Sequence, residues 1–536
     1  MNMIITPNPV PSQAASAVLG YPVRSFDGSR NNLENPDYGQ AGAQLRRLTA
    51  PAYADGLSEP VQARPNARAL SLAAFQAFQI QDTPAHPLVS SLLVYFGQFL
   101  DHTITRTPTQ HHDDPMAVPV PANDPFFTLN KLSSRALYLA RSIFDEQTGI
   151  ANPRQQINEL SAYIDGTAVY GDSEERAKAL RANDDSGKLL TWQSADGETW
   201  LPRHLSLNND DPFGNRIGEN VLFSAGDVRS NENIALSAIH SLWVREHNRL
   251  CDQIKSSNPK LSGDEIYHCA RKLVEALIQN ITVTEFLPAI LGSDGIGKYR
   301  CYNPQVNPGV FTEFSTAAYR MHTLLPDSIV LRSADGKNTY ITLMDAFFKP
   351  ELAVQHSLAS YFEGLSRAPA EEGDLRLSQS LVNNLFAIPE RGIAGSDLFV
   401  ANVMRGRDHG LADFNTIRQS MGLSYAASFG QISDDSRAIK VLKAYADVKS
   451  IDLFVGGLAE TKIPGALVGP TFHAIIRKQF EDMRNGDRFW FENDPFFTQN
   501  PQLLTWVRSQ RFADVIRTNT NADVDNDVFR YAETSV

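Results

Sequence analysis

The stretch Gly97-Gln98-Phe99-Leu100-Asp101-His102-Thr103 follows an apolar run that contains no glycine or proline over residues 88–96. This pattern predicts a buried helix over residues 88–104. On that helix Gln98, Asp101 and His102 lie at positions i, i+3 and i+4, so their side chains share one face. Burying an amide, a carboxylate and an imidazole together costs free energy unless they are paired. The segment therefore predicts either a functional site or a core histidine with a capping aspartate.

The 536-residue chain contains no long linker rich in proline, glycine or serine and no block of like charges that divides it. We therefore expect one large domain with long loops, able to enclose a bulky cofactor. The net charge of -12 and the lack of a basic patch in the sequence argue against nucleic acid as a partner. Three cysteines, Cys251, Cys269 and Cys301, cannot form a fully paired disulfide scaffold and fit a reducing compartment.

Residues 1–7 contain neither a basic segment nor an apolar segment of signal-peptide length. This predicts a protein that is cytoplasmic or is exported by a route without a cleaved signal. Because the sequence has no window of about 18 consecutive apolar residues, we expect no membrane span.

Apolar residues with helical spacing recur through most of the chain, whereas strand-like runs are few and short. The fold class is therefore predicted to be mainly α. A capping box, Ser262 with Glu265 three residues later, marks the start of one long helix. Helices are predicted over residues 68–78, 88–104, 132–145, 173–182, 231–256, 262–290, 311–324, 341–346, 349–363, 378–386, 396–404, 411–420, 433–447 and 469–484.

Arg229 and Glu232 lie three residues apart at the start of the helix predicted over 231–256. At this spacing their side chains can share one face of the chain. The alternative interpretation is a solvent-exposed ion pair beside a helix N-cap at Ser230 or Asn231.

His322 lies at the end of the apolar segment predicted as a helix over 311–324. Asn402 leaves another apolar run shortly before two arginines, the first of which is Arg405. Guanidinium groups bind carboxylates through paired hydrogen bonds, so these arginines suit an acidic partner. The alternative interpretations are a satisfied core histidine at 322 and a helix C-cap with a surface charge cluster after Asn402.

Oxygen-bearing side chains alternate with other residues in the loop that contains Ser161, Tyr163, Asp165 and Thr167. Such spacing suits a hard cation such as calcium, whose ligands are oxygen atoms. Because the loop supplies only one carboxylate, an Asx-turn is the alternative interpretation.

Taken together, these segments resemble the animal-type haem peroxidases of the peroxidase–cyclooxygenase superfamily. The resemblance implies a single large helical haem-peroxidase domain over residues 23–515, with an N-terminal extension over 1–22 and a C-terminal tail over 516–536. The motifs that carry it are Arg24-Ser25-Phe26-Asp27-Gly28, Tyr53-Ala54-Asp55-Gly56, Val244-Arg245-Glu246-His247-Asn248-Arg249-Leu250, Arg405-Gly406-Arg407-Asp408-His409-Gly410 and Gly486-Asp487-Arg488-Phe489-Trp490.

The resemblance implies haem b as the cofactor and assigns the residues on its peroxide side. His102 matches the distal histidine, which moves a proton between the two peroxide oxygens. Arg229 matches the distal arginine, which stabilises charge on the departing oxygen. Gln98 matches the distal glutamine, which orders water or halide.

On the opposite side of the haem, His322 matches the iron ligand and Asn402 matches its hydrogen-bond partner. Arg405 matches a partner of a haem propionate. Asp101 and Glu232 match the two carboxylates that form ester links to haem methyl groups in the family's peroxidases. The implied function is reduction of hydrogen peroxide with oxidation of a small donor, which is a phenol, a halide or a lipid.

Two residues depart from the usual pattern of the family's peroxidases. Thr103 follows the distal histidine where a calcium-binding aspartate is usual, so calcium at the 161–167 loop is expected to bind weakly. Tyr319, three residues before His322, resembles the radical tyrosine of the superfamily's fatty-acid oxygenases. A haem-dependent fatty-acid dioxygenase that uses a Tyr319 radical is therefore the first alternative function. A haem-bearing adhesion or structural protein is the second.

Overall fold

Helices dominate the computed structural model, which describes residues 20–78, 88–109, 114–127, 136–211, 221–293, 295–386 and 395–531. The predicted mainly α class is confirmed. Of the expected N-terminal extension, residues 1–19 lie outside the described part of the chain.

The described ranges contain twenty α-helices, which vary from single turns to a helix of 24 residues. Their bounds are α1 (Ala67–Ala77), α2 (Ser91–Ile104), α3 (Thr167–Tyr170), α4 (Glu174–Leu180), α5 (Ile234–Ser257), α6 (Gly263–Ile281), α7 (Leu287–Leu291), α8 (Leu343–Ala346), α9 (Pro350–Ala353), α10 (Leu358–Arg367), α11 (Gln379–Val382), α12 (Leu398–Asp408), α13 (Phe414–Ser420), α14 (Phe429–Ile432), α15 (Ser436–Leu442), α16 (Leu453–Ala459), α17 (Pro470–Asn485), α18 (Pro495–Thr498), α19 (Pro501–Ser509) and α20 (Phe512–Thr520).

Within the same ranges, eight short strands form four separate two-stranded antiparallel sheets. Sheets of this size cannot form a hydrophobic layer by themselves, so the core lies between helices. The pairs are β1 (Ala43–Gln44) with β4 (Ile157–Asn158), β2 (Pro115–Pro119) with β3 (Ala136–Ala140), β5 (Trp192–Gln193) with β6 (Thr199–Trp200) and β7 (Ser328–Arg332) with β8 (Asn338–Thr342).

The helix predicted over 132–145 is wrong, because its described part contains strand β3. In the sheet with β2, Leu137 pairs with Val118 and Leu139 pairs with Met116. The apolar spacing of this segment fits a strand as well as a helix, and pairing with a partner strand decides between them.

The segment predicted as one helix over 311–324 is broken into a π-helix, Phe314–Ala318, and a 3₁₀-helix, His322–Leu324. Leu325 then takes an extended conformation, with φ -82° and ψ 116°. Pro326 favours this ending because the residue before a proline avoids the α-helical conformation. Single π-helical turns occur often at functional sites, and here the break directly precedes the predicted iron ligand.

Helix α5 begins later than predicted. Its N-cap is Asn233, whose side chain accepts a hydrogen bond from the backbone N–H of Leu236. Neither Ser230 nor Asn231 is therefore the cap. Arg229 and Glu232 lie in the turn before the helix, where their positions depend on tertiary contacts.

The C-terminal part of the chain is more helical than predicted, because α18, α19 and α20 follow residue 494, where the sequence predicted no helix. The expected domain boundary between residues 515 and 516 falls within α20. Phe529, beyond that helix, is fully buried. The packed fold therefore continues to Phe529.

Helix α2, which carries the first predicted site residues, packs against α5 and α10 in the core. Phe96 on this helix is fully buried. Its ring centroid lies 5.3 Å from that of Phe286, 5.0 Å from that of Phe512 and 5.1 Å from that of Phe529. Aromatic packing on the apolar face thus fixes the direction in which the polar face of α2 points.

One described helical stretch, Gly263–Leu291, could cross a membrane by length and composition alone. The sequence predicted no span, and we interpret this stretch as a core helix because 78% of its most apolar window is buried. It comprises α6, a π-helix over Thr282–Phe286, and α7, and α6 packs against α5. The predicted capping box at Ser262 and Glu265 is confirmed.

Candidate active site

Helix α2 brings three predicted site residues to one side of the core, as the sequence spacing predicted. The side chain of His102 is 5% exposed, and that of Asp101 is 19% exposed. Gln98, one turn earlier, is also partly exposed. Because Gln98 and Asp101 lie on a core helix, their partial exposure indicates an internal space beside α2, next to the buried His102.

A buried carboxylate that the sequence analysis did not identify, Asp227, joins the two predicted catalytic residues. Its Oδ1 lies 3.5 Å from His102 Nδ1. Arg229 donates two side-chain hydrogen bonds to it, from Nε to Oδ1 at 2.9 Å and from Nη2 to Oδ2 at 2.8 Å. The backbone N–H of Arg229 donates a third, at 2.8 Å. Asp227 therefore fixes the position of Arg229 relative to His102.

Close backbone packing at Gly226 places this carboxylate. A β-carbon at position 226 would lie 2.3 Å from the carbonyl oxygen of Thr167, so only glycine fits there. The backbone N–H of Asp227 donates to the carbonyl of Ala168 at 3.2 Å. The pair Gly226-Asp227, two residues before Arg229, is the sequence signal that could have identified the carboxylate.

Glu232 lies on the other side of the His102 ring. Its Oε2 is 3.8 Å from His102 Nε2 and accepts a 2.6 Å hydrogen bond from Gln98 Nε2. Gln98 Oε1 in turn accepts a 3.0 Å hydrogen bond from Nδ2 of Asn233, the N-cap of α5. The start of α5 therefore holds the glutamine and the glutamate beside the imidazole.

Burial and ion pairing set the charges of this cluster. Burial lowers the pKa of His102 well below 6.5, and the charge of Arg229 lowers it further, so the imidazole is neutral. Burial by itself would raise the pKa of Asp227, but the charge of Arg229 and the hydrogen bonds that Arg229 donates hold it below 3.8. Burial raises the pKa of Glu232 to about 7 and also raises the pKa of Asp101. The cluster thus places a neutral base beside a permanently charged guanidinium–carboxylate pair.

His322 and Asn402 meet as predicted. Asn402, on α12, places its Nδ2 3.2 Å from His322 Nδ1. Burial and the charge of Arg320 lower the pKa of His322 to about 3, so the ring is in the neutral form that binds metals. Rotating the Asn402 amide by half a turn places Oδ1 at this contact, where it accepts the Nδ1 proton and leaves Nε2 free as a ligand.

The two predicted haem-facing histidines lie on elements that touch, because α2 contacts the 3₁₀-helix His322–Leu324. Arg320 acts on both of them, and its charge lowers the pKa of His102 and of His322. Its Nε donates to the carbonyl of Ser315 at 2.7 Å. The sequence analysis did not assign this arginine, although its place two residues before His322 was visible.

A buried polar network holds Arg405 in the interior. Arg405 Nη1 donates to Ser142 Oγ at 2.5 Å and lies 3.5 Å from Asp408 Oδ2. His409 continues the network, with Nε2 at 2.8 Å from Ser142 Oγ and Nδ1 at 2.9 Å from Thr312 Oγ1. Because guanidinium groups only donate, Ser142 accepts from Arg405 and keeps its own proton for His409.

These residues fit a haem. His322 supplies a neutral imidazole, and Arg320 and Arg405 are two cations in the same region, a charge that suits an anionic group. In the ranges that the structure describes, His102 Nδ1 is buried without a hydrogen-bond partner of normal length. Placing these guanidinium and carboxyl groups around one internal space costs free energy unless a polar group lies among them.

The loop predicted to bind calcium is closed by its own hydrogen bonds. Ser161 Oγ donates to Asp165, and Thr167 donates to the same carboxylate from Oγ1 at 2.6 Å and from its backbone N–H at 3.0 Å. Tyr163 Oη donates to the carbonyl of Tyr38 at 2.7 Å. The arrangement contains the Asx-turn of the alternative interpretation. Among the described residues, no group of three His, Cys, Asp or Glu side chains is placed to hold a metal ion.

Tyr319 is buried against the helix that carries His102. Its Oη donates to the carbonyl of Gly97 at 3.4 Å. Phe314 stacks on its ring at a centroid distance of 4.8 Å, and Phe286 and Phe480 meet it edge-on at 6.4 and 5.8 Å. Burial raises its pKa well above 10, so the phenol is neutral. Protein side chains thus enclose the ring.

Comparison with known proteins assigns the chain to a family. The sequence profile described as animal haem peroxidase matches residues 23–529. The chain belongs to the animal haem peroxidase family. It is 33% identical to a peroxidasin homologue of Caenorhabditis elegans, over 95% of this chain and 43% of that protein. Peroxidase A of Dictyostelium discoideum superposes with a TM-score of 0.86 at 30% identity, over 95% of this chain and 99% of that one.

The fold of this family member is shared more widely. A fatty acid alpha-dioxygenase of Arabidopsis thaliana superposes with a TM-score of 0.76 at 19% identity, over 95% of this chain and 83% of that one. At this identity the likeness concerns the fold alone. The chain spans about half the length of the curated relatives it matches.

Replacing the carboxylate that joins the two catalytic candidates tests its role. In Asp227→Asn the side chain keeps its size, but Arg229 loses its charged partner. We expect the second-order rate constant for hydrogen peroxide to fall by about 10–100-fold, the usual effect of removing such a supporting partner. Because the anion that stabilises the imidazolium is lost, the pKa of His102 falls and the acid limb of the pH–rate profile moves to lower pH.

Stopped-flow mixing of the haem-loaded variant with peroxide across the acidic and neutral range measures both effects. The control is Asp447→Asn, which removes an exposed carboxylate outside the site. A fall in rate with an unmoved acid limb would mean that Asp227 only supports the fold.

Proposed function

We propose that this protein is a haem peroxidase that reduces hydrogen peroxide and oxidises small donors such as phenols or halides. One observation carries the proposal. The neutral imidazole of His102 lies between two carboxyl groups, 3.5 Å from Asp227 and 3.8 Å from Glu232, and the Asp227 carboxylate holds Arg229. The helix that carries His102 contacts the short helix of His322. The two histidines can therefore lie on opposite faces of one haem.

Each side chain of the site has its own role in the proposed reaction. When bound, haem supplies the iron that binds peroxide and stores the oxidising equivalents. His102 accepts a proton at its Nε2 from one peroxide oxygen and delivers it to the other oxygen, which departs. Arg229 stabilises the negative charge on that oxygen. Gln98 holds water or halide beside Glu232, and Asn402 orients the ring of His322.

We assign Arg405 to bind a propionate of the haem. The serine–histidine network behind this arginine supports the assignment, because it holds the guanidinium in the interior without neutralising its charge completely. Burial lowers the pKa of Arg405, which is the penalty that an anionic propionate would relieve.

Ester links from Asp101 and Glu232 to haem methyl groups belong to the same proposal. Both carboxyl groups are partly exposed toward the internal space, and burial raises the pKa of each. An ester link would join a carboxylate oxygen to a haem methyl carbon that loses one hydrogen, a two-electron oxidation for which hydrogen peroxide would be the oxidant.

We expect peroxide-treated protein to retain its haem when it is extracted with acidified organic solvent. The double variant Asp101→Val with Glu232→Gln should release the haem, since neither side chain can form an ester there. Absorbance of the organic phase measures the released fraction. Full extraction from the unmodified, peroxide-treated protein would contradict the links, while the single variants show which carboxylate carries each one.

Calcium is proposed only as a low-affinity ligand of the loop at Ser161, Tyr163, Asp165 and Thr167. The hydroxyl groups of Ser161 and Thr167 converge there on the carboxylate of Asp165. Thr103 cannot add a charged ligand, and its Oγ1 donates to the carbonyl of Phe99 within α2 at 3.1 Å. One carboxylate supports weak binding of a divalent cation.

Removing the proposed proton carrier is the direct test of the peroxidase. In His102→Ala the rate of reaction with peroxide should fall by about 10²–10⁴-fold, the usual contribution of a general acid–base group. The haem absorbance should persist because His322 is unchanged. Stopped-flow spectroscopy with hydrogen peroxide and guaiacol measures the rate. His356→Ala, which alters a histidine outside the site, should leave it unchanged, and an equal loss in both variants would refute the assignment.

A fatty-acid dioxygenase is the second candidate, and the position of Tyr319 favours it. The phenol lies three residues before His322 and contacts the helix of His102 at Gly97. The three phenylalanine rings around it argue for the peroxidase, because they occupy the positions where a lipid would have to approach.

Oxygen uptake with palmitic or linoleic acid separates the two functions. For the peroxidase we expect no uptake that depends on the fatty acid, and an unchanged peroxide rate in Tyr319→Phe. For the dioxygenase, the uptake would be present and would be lost in that variant, since phenylalanine cannot form a phenoxyl radical. Haem binding without either activity would support the third interpretation, an adhesion or structural protein.

A further inference from the structure

A cavity lies beside the segment that carries the proposed iron ligand. Its volume is about 630 Å³, and its wall includes Thr323, the residue that follows His322. A smaller space lined by Arg320 and Met321 also includes Thr323 in its wall. The cavity therefore reaches the proximal segment without passing the cluster around His102.

Acidic side chains outnumber basic ones in this wall, seven to three. Each basic side chain is already paired with an acidic one from the same wall. The pairs are Lys462 with Glu372 at 2.6 Å, Arg437 with Asp435 at 2.8 Å and Arg376 with Glu371 at 3.5 Å.

Three further carboxylates of the wall, Asp327, Asp374 and Asp434, have no ion-pair partner in the part of the chain that the structure describes. Asp327 and Asp434 are exposed at the rim, whereas Asp374 lies deeper. Asp374 accepts one hydrogen bond, from the backbone N–H of Arg376 at 2.7 Å. Burial raises its pKa to about 6, a penalty that a cation in the cavity would relieve.

Two hydroxyl groups of the wall point independently to a ligand. Thr323 is 2% exposed, and its Oγ1 is buried without a hydrogen-bond partner among the described residues. The Oγ of Ser378 is also buried without a partner in the same ranges. Unsatisfied buried hydroxyls cost free energy, and a polar ligand that reached either hydroxyl from the cavity would relieve that cost.

The wall also offers an apolar surface. Phe75 and Phe78, at the end of α1, line the cavity, and Phe75 is partly exposed. Carboxylates beside an aromatic surface match a ligand that has a cationic head and an apolar body. A fatty acid or a halide has the wrong charge for this wall.

We propose that this cavity binds a small organic ammonium ion with an aromatic or alkyl body. The ammonium group lies among Asp327, Asp374 and Asp434, and the body lies against Phe75. Because Thr323 is part of the cavity wall, the bound ligand lies beside the segment that carries His322. This inference does not depend on the proposed activity, only on the haem-loaded fold.

Calorimetric titration of the haem-loaded protein with 2-phenylethylammonium chloride tests the proposal. Saturating cyanide occupies the peroxide side, so the heat reports binding elsewhere. We expect a single site, with phenylacetate and 2-phenylethanol binding at least about tenfold more weakly, because the recognition depends on a positive charge. Equal binding of the neutral alcohol would overturn the proposal.

Two variants locate the binding site. Asp374→Asn keeps the acceptor for the Arg376 N–H but removes the charge, and it should weaken binding by at least about tenfold. Asp335→Asn, which changes an exposed carboxylate outside the cavity, should bind normally. If Asp374→Asn fails to fold, Asp434→Asn at the rim replaces it. Unchanged affinity in the cavity variants would overturn the assignment. No peroxide is present, so the outcome is separate from that of the peroxidase tests.

Discussion

The carboxylate of Asp227 is the common partner on which the peroxide side of the site depends. It binds Arg229 through both oxygens and faces the His102 ring, so one buried anion sets the distance between a base and a cation. Its own position comes from the contact of Gly226 with the Thr167 backbone, which no larger residue would permit. A short glycine-dependent backbone contact thereby determines the geometry of the arginine and the histidine to which we assign charge stabilisation and proton transfer.

The proximal side depends on a break in a helix. Because the segment before His322 ends in a π-helix and resumes as a 3₁₀-helix, the histidine meets Asn402 while Tyr319 turns toward the helix of His102. The same short segment forms part of the acidic cavity wall at Thr323. The segment that carries His322 therefore contacts α2 on one side and borders a carboxylate-rich cavity on another.

Local sequence patterns predicted the helical class and the face of α2 correctly, because the spacing of apolar residues determines which side of a helix is buried. The capping box at Ser262 was also predicted correctly, because both of its hydrogen bonds form within one turn of the chain. The family resemblance placed His322 beside Asn402, and the geometry confirms that contact. The ester links, the calcium site and the residue roles remain predictions.

Contacts between distant segments decided the rest. The strand at 136–140 forms because its partner at 115–119 is present, and the same apolar spacing without that partner suits a helix. Asp227 could be recognised as a site residue only from the structure. The fold places it beside His102, which lies 125 positions earlier in the chain. The sequence by itself determined the mainly α class, the buried face of α2 and which residues carry groups capable of the chemistry. Only the tertiary structure decided which of them are neighbours, because the free energy of a buried charge depends on the groups that surround it.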